Sequence, residues 1–177
     1  MEIDKLPQIH LIITGGTIDS GFDGVHDELR VNNISAVVDY LKDIVRPNLA
    51  FTQEILTMKD SRQITDNTRA EILSSIQRSD VSRILITHGT YTMVDTLNYL
   101  EQQWQHKDKV VFLTGSMFPL RNFSPTDAPF NLGFAIGAMM YAEPGVYLAM
   151  NGEVFKATEV VKDLSLGRFK AIEGSSK

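Results

Sequence analysis

RILITHGTYTMVDTLNYL (83–100) changes period in its middle. Arg83–Thr87 is a short run rich in Ile and Leu without polar alternation, which fits a strand covered on both faces. After the polar turn HGTYT (88–92), Met93, Leu97 and Leu100 recur at helical spacing, and Trp104 extends the stripe. The unit is therefore strand, Thr/Gly turn, helix. It recurs outward in both directions. Upstream, Ile9–Thr14 runs into TGGTI (14–18); downstream, Val110–Thr114 runs into GSM (115–117) and then an apolar helical stretch, Phe130–Met140. Ala50–Leu56 and Val146–Met150 add two more apolar runs.

Two further helical patterns fill the gaps. In Asn33–Val45 the apolar positions Ile34, Val37, Val38, Leu41 and Ile44/Val45 keep the 3.6 period. Thr65 or Asp66 can cap another helix, with Ile72, Leu73 and Ile76 on one face. The order βαβαβαβαβ predicts an α/β fold: a doubly wound, mostly parallel sheet with helices on both faces. One domain is expected over 1–170, with 171–177 (AIEGSSK) as a disordered tail. GFDGVHDELR (21–30) is longer and more polar than a βα connection needs; it reads either as a mobile flap over a site or as a solvated loop.

Composition removes several function classes. With 177 residues and no cysteine, the chain has no disulfide, no Cys-based zinc or iron–sulfur site and no thiol nucleophile. Its 22 acidic and 17 basic side chains leave a formal charge of −5 with no basic run, which argues against nucleic acid as a partner. Apolar runs such as IHLII (9–13) fall far short of the ~20 residues of a membrane span, and MEIDKLPQ (1–8) does not read as a signal peptide. A cytoplasmic protein without a membrane partner is expected.

Ligands of open α/β sheets bind beyond the carboxyl ends of the strands. Three Thr/Gly turns at such ends should put hydroxyls and backbone N–H groups around one cleft; tight turns with Thr caps are the plainer account of the same residues. Neither a phosphate-loop GxxxxGK[ST] nor GxGxxG nor a GxSxG elbow occurs. His10, His26, His88 and His106 show no ligand spacing, so no metal is expected, and His10 and His88 read as satisfied strand-end histidines. Threonine hydroxyls remain as candidate nucleophiles, and a lysine made neutral by burial is a base able to activate one.

TGGTI (14–18), LITHGTYTMVDT (85–96), FLTGSM (112–117) and the stretch NGEVFKATEVVK (151–162) resemble the bacterial-type L-asparaginase/glutaminase family, in a short form similar to its N-terminal domain that stops after GRF (167–169). The resemblance implies hydrolysis of the side-chain amide of L-asparagine to L-aspartate and ammonia through a threonine acyl-enzyme, with no cofactor. It implies Thr17 as nucleophile, Thr90 as second catalytic threonine and Lys162 as the family lysine. It also implies Ser61, beside Asp60, as the holder of the substrate α-carboxylate, and the N–H groups of Gly16 and Gly89 as oxyanion donors.

This chain departs from the family pattern in three places. HGTDT is here HGTYT, so Tyr91 replaces the aspartate that pairs with the substrate α-ammonium. Losing such a charge-assisted hydrogen bond costs on the order of 1.5–3 kcal/mol, or roughly ten- to hundredfold. An amide lacking a free α-ammonium, or a catalytically impaired amino-acid-binding homologue, are the alternatives this opens. Residues 19–30 hold no tyrosine for the family's flap position; Phe22 and His26 are nearest. Without a second domain, the apolar fourth helix is expected to bury itself in a homodimer or homotetramer.

Overall fold

Successive residues of the first strand are buried on opposite sides of the sheet: Ile9, Leu11 and Ile13 join one core, Ile12 the other. The computed structural model describes residues 6–172 and 174. In chain order it runs through β1 (Gln8–Gly15), the hairpin β2 (Ser20–Asp23) and β3 (Glu28–Val31), α1 (Val37–Asp39), β4 (Ala50–Lys59) and α2 (Asp66–Arg78). Then follow β5 (Arg83–Thr87), α3 (Met93–Gln102), β6 (Val110–Thr114), α4 (Ala128–Met139) and β7 (Gly145–Met150). Three short strands close the chain: β8 (Glu153–Phe155), β9 (Val160–Asp163) and β10 (Arg168–Ala171).

The main sheet has the order β4–β1–β5–β6–β7–β8, parallel except for the last strand. One face carries α1 with the turn that follows it and α4, whose Val37, Leu41, Leu132 and Ala135 pack with Leu11, Leu85 and Phe112. The other carries α2 and α3, whose Ile72, Ile76, Leu97 and Leu100 pack with Ile12, Ile84 and Val111. This is the expected doubly wound α/β sandwich. The chain leaves β1 in one direction to β4 and in the other to β5, so the topological switch lies at the carboxyl ends of β1 and β5.

Several expectations need correction. The helix predicted over Asn33–Val45 begins only at Val37 and widens into a π-helical turn over Tyr40–Val45, closed by Arg46 in the left-handed region (φ 50°) with its N–H on the Leu41 carbonyl. The wider turn rotates Ile44 and Val45 to solvent, and Ile34, before the helix, is also exposed. Residues 21–30 are not the plain solvated loop of the second reading: Ser20–Asp23 pairs antiparallel with Glu28–Val31, so the segment is a hairpin. β8, β9 and β10 fall in segments where no strand was expected. Trp104 lies past the end of α3, edge-on to His106. At the carboxyl end Ala171 pairs with Val160; residues 173 and 175–177 of the expected tail lie outside the described residues. Among the described residues, no helix is long and apolar enough to cross a membrane.

Candidate active site

Three turns meet beyond the ends of β1, β4 and β5 with almost no space between their backbones. Gly16 sits at φ 83°, and a Cβ built there would lie 2.3 Å from Gly89 Cα. Gly89 is as constrained, since a Cβ on it would lie 2.7 Å from both Cβ and Oγ of Ser61. Glycine at both positions is therefore a requirement of close approach. The first threonines of the three motifs are buried in the sheet: those of the first and third stitch neighbouring strands, while the Thr87 hydroxyl has no hydrogen-bond partner. Thr14 Oγ1 donates to the Thr87 carbonyl and Thr114 Oγ1 to the Ala149 carbonyl, both at 2.9 Å, and Thr87 is wholly buried.

Around this junction lies a cleft of about 150 Å³ lined by Gly16, Thr17, Asp60, Ser61, Arg62, Gly89, Thr90, Tyr91 and Lys162. All eight residues singled out from the sequence, Gly16, Thr17, Asp60, Ser61, Gly89, Thr90, Tyr91 and Lys162, are brought together there. Its volume is below the ~300 Å³ at which drug-sized pockets begin. A second cavity shares Thr17, Asp60 and Arg62 with it and is walled by Glu28, Leu29 and Arg30 of the hairpin.

Lys162 reaches the cleft from β9, where its partner across the ladder is Phe169. Its Nζ donates to Thr90 Oγ1 at 2.8 Å, and Thr90 Oγ1 donates to Met117 Sδ at 3.7 Å. Burial pushes the Lys162 ammonium below the usual lysine range, and the Arg62 guanidinium adds to that effect. A chain of amide-type bonds holds β9 from behind. Asn131, fully buried, accepts from the Asn151 amide, and Asn151 accepts from the Phe169 amide at 2.9 Å.

Ser61 opens a single 3₁₀ turn after β4 and is buried. Its Oγ accepts from the amides of Tyr91 (3.2 Å) and Thr92 (3.4 Å), while Thr92 Oγ1 donates to the Ser61 carbonyl at 2.7 Å. Asp60 caps the same turn. It accepts from the Arg62 amide at 2.8 Å and from Arg62 Nε and Nη2 at 3.1 and 2.8 Å. That fork holds its carboxyl below the usual carboxylate range. Arg62 Cζ then lies 5.6 Å from the ring centroid of Tyr91, a cation–π arrangement at the rim, where Tyr91 is 62% exposed.

His88 is fully buried and plays a supporting part. Its Nδ1 is 2.8 Å from the Gly89 carbonyl, so that nitrogen carries the proton and Nε2 accepts from Thr96 Oγ1 at 2.9 Å. Thr96 in turn accepts from Arg69 Nε at 3.2 Å. Burial drives the His88 pKa down to about 4, so the imidazole is neutral and the chain Arg69–Thr96–His88 fixes the Gly89–Thr90 peptide. His10 is likewise satisfied, 2.8 Å from Thr52 Oγ1. Among the described residues no group of acids and histidines could hold a metal.

Two parts of the sequence reading change. The Gly16 N–H donates to the Lys59 carbonyl at 2.9 Å, so it is not free for an oxyanion; β4 runs three residues past the expected Leu56 and brings that carbonyl into reach. The third motif lines the cleft with none of its residues and touches it only through Met117. Arg62 and Met117 were missed. An arginine inside KDSRQIT (59–65) reads as a surface charge until the turn folds it over Tyr91.

Fold and cleft define an α/β domain of the class that keeps a threonine-and-lysine site at the switch point of a parallel sheet. The comparisons with known proteins make this specific. Residues 8–174 match the family described as Asparaginase, N-terminal, and the chain belongs to that family. It is 30% identical to L-asparaginase 2 of Escherichia coli (strain K12) over 168 residues, 89% of this chain and 47% of that one. It is 28% identical to the glutaminase-asparaginase of Acinetobacter glutaminasificans, covering 88% of this chain and half of the relative. The thermostable L-asparaginase from Thermococcus kodakarensis superposes with a TM-score of 0.81 at 26% identity, over 93% of this chain and 51% of that one. The chain thus spans about half the length of the curated relatives it matches.

Proposed function

We propose that this chain hydrolyses the side-chain amide of a small carboxylic acid, with L-asparagine as the reference substrate, through an ester on Thr17. The 2.8 Å bond from Lys162 to Thr90, in the same cleft as Thr17, carries the reading. Amide hydrolysis needs a nucleophile, a path for its proton and donors for the developing oxyanion. Thr17 Oγ1 attacks the amide carbon while its proton moves toward Thr90 and Lys162. The C–N bond breaks, the nitrogen takes up that proton, and ammonia leaves with the acyl group on Thr17. Water then adds to the ester and restores the hydroxyl. Because the Gly16 amide is occupied, the amides of Gly89 and Thr90 are the oxyanion donors in this scheme.

The test is ammonia release by the purified chain, with Thr17→Ala as blank. The expected result is turnover that the substitution abolishes and that rises with pH to a midpoint below the usual lysine value, because Lys162 must be neutral to accept a proton. An absence of turnover above the blank overturns the hydrolase reading and leaves a binding module.

A further inference from the structure

Charge pairing inside the cleft restricts what can lie there beside the scissile amide. Asp60 is the acid that lines the cleft among the described residues, and Arg62 engages it through three hydrogen bonds. Glu28, on the adjoining cavity, is held at 2.6 Å by Arg30 Nε. Position 91 presents a phenol to the cleft, with Arg62 against its ring. An ammonium brought into this space meets the guanidinium of Arg62 and, among the described residues lining it, no acid that is not already paired.

A carboxylate meets the opposite situation. The two amides that donate to Ser61 Oγ occupy its acceptor lone pairs, so the hydroxyl hydrogen is what Ser61 offers a ligand. Arg62 spends Nε and Nη2 on Asp60 and keeps Nη1 for another acceptor. The ion pair with Asp60 and the ring of Tyr91 orient the guanidinium at the rim of the cleft, so Nη1 is turned to another acceptor at reduced ordering cost.

We infer that the cleft selects the monoamide of a dicarboxylic acid that carries no α-ammonium, with Ser61 and Arg62 taking the free carboxylate and Tyr91 excluding the ammonium by supplying no anion for it. This inference rests on the amidohydrolase reading and names its substrate class. Arg62 and Tyr91 are then specificity-determining residues. The covalent steps are those given above: the amide C–N bond breaks, the Thr17 ester forms, ammonia leaves, and water returns the dicarboxylic acid.

The experiment compares succinamate, which is L-asparagine with hydrogen in place of its amino group, with L-asparagine on the wild-type chain and on Tyr91→Asp and Arg62→Gln. Wild type is expected to favour succinamate in kcat/KM by roughly ten- to hundredfold, the worth of one charge-assisted contact. Tyr91→Asp should narrow or invert that ratio. Arg62→Gln should lower the rate on succinamate more than on L-asparagine. Equal or better turnover of L-asparagine by wild type overturns the inference and leaves the hydrolase reading intact. If neither amide is turned over, the hydrolase reading fails, and calorimetric titration with succinate and L-aspartate decides the rest. Tighter succinate supports the assigned selectivity; tighter L-aspartate, or binding of neither, overturns it.

Discussion

The two walls around Thr17 are built in opposite ways. On one side, Gly16 packs on the Gly89 backbone and Gly89 on Ser61, and β1 and β5 behind them run through the buried core. On the other side stands the β2–β3 hairpin, whose Phe22, Val25 and Leu29 face solvent and whose charges pair at the surface: Arg30 with Asp23 and Glu28, His26 with Asp23. The first wall is fixed by close packing, which tolerates no added atom. The second is held by contacts that water and salt weaken. Thr17 follows directly on the fixed wall, and the cavity beside it is closed by the loose one.

The sharpest way to break this contrast is Gly16→Ala. The added methyl would sit 2.3 Å from Gly89 Cα on a residue already at φ 83°, with backbone on the far side that has nowhere to retreat. A loss of more than about 3 kcal/mol in urea unfolding is expected, in the range of strained backbone and overpacking together. Any fraction that folds should have lost the cleft geometry and hence ammonia release. A stable, active Gly16→Ala would show that the junction yields and that the first wall is not fixed.

The sequence disclosed the fixed wall far better than the loose one, for a physical reason. Strands buried on both faces must be apolar throughout, so β1, β5 and β6 stand out as Val/Ile/Leu runs, and after β1 and β5 the Gly and Thr residues that follow mark the turns that line the cleft. The hairpin leaves no such trace. Alternation is confined to the four residues of Glu28–Val31, and Phe22, Val25 and Leu29 face solvent rather than the core. β9 carries Lys162 on a two-stranded ladder whose partner lies just downstream, and nothing in VVKD (160–163) alone requires a strand. The widening of α1 into a π-helical turn was also hidden, since the 3.6-residue period is satisfied on paper as far as Val45. Arg62 shows the limit most clearly: its neighbours Asp60 and Ser61 are legible from KDSRQIT, but its position against Tyr91 comes from the fold alone.

Asp19 joins the two walls, and its titration gives a smaller effect that sharpens the comparison. The residue lies two positions after Thr17 and is buried; its backbone carbonyl accepts from the Asn32 amide at the root of the hairpin. Its Oδ1 accepts from Ser35 Oγ at 2.9 Å and the Ala36 amide at 2.8 Å, while Oδ2 has no partner. Burial pushes this carboxyl from 3.8 up to about 6, against those donors and the field of Arg121. A proton therefore binds the folded chain more tightly than the unfolded one between these values. Stability should fall as pH rises from about 4 through about 6, by roughly 2–3 kcal/mol from this residue. Asp19→Asn should remove that slope in urea unfolding measured across the same range. An unchanged slope would place the pH dependence elsewhere and leave Asp19 as a plain structural cap.

The smallest effect separates the walls without changing any residue of the cleft. Local opening should expose hairpin amides at a fraction of the global unfolding free energy, because few buried side chains oppose it. Amides of β1 and β5 should exchange with deuterium only through global unfolding, whereas those of Gly21–Asp23 and Glu28–Arg30 should exchange orders of magnitude faster at the same pH. Asp23→Ala deletes the acid that His26 and Arg30 share and should accelerate exchange in the hairpin alone, with the global urea midpoint unchanged. Because Glu28 and Arg30 also wall the cavity beside Thr17, a ligand reaching across it should slow hairpin exchange selectively. If the hairpin instead exchanges as slowly as β1, it folds with the core as one unit and the two walls beside Thr17 are equally fixed.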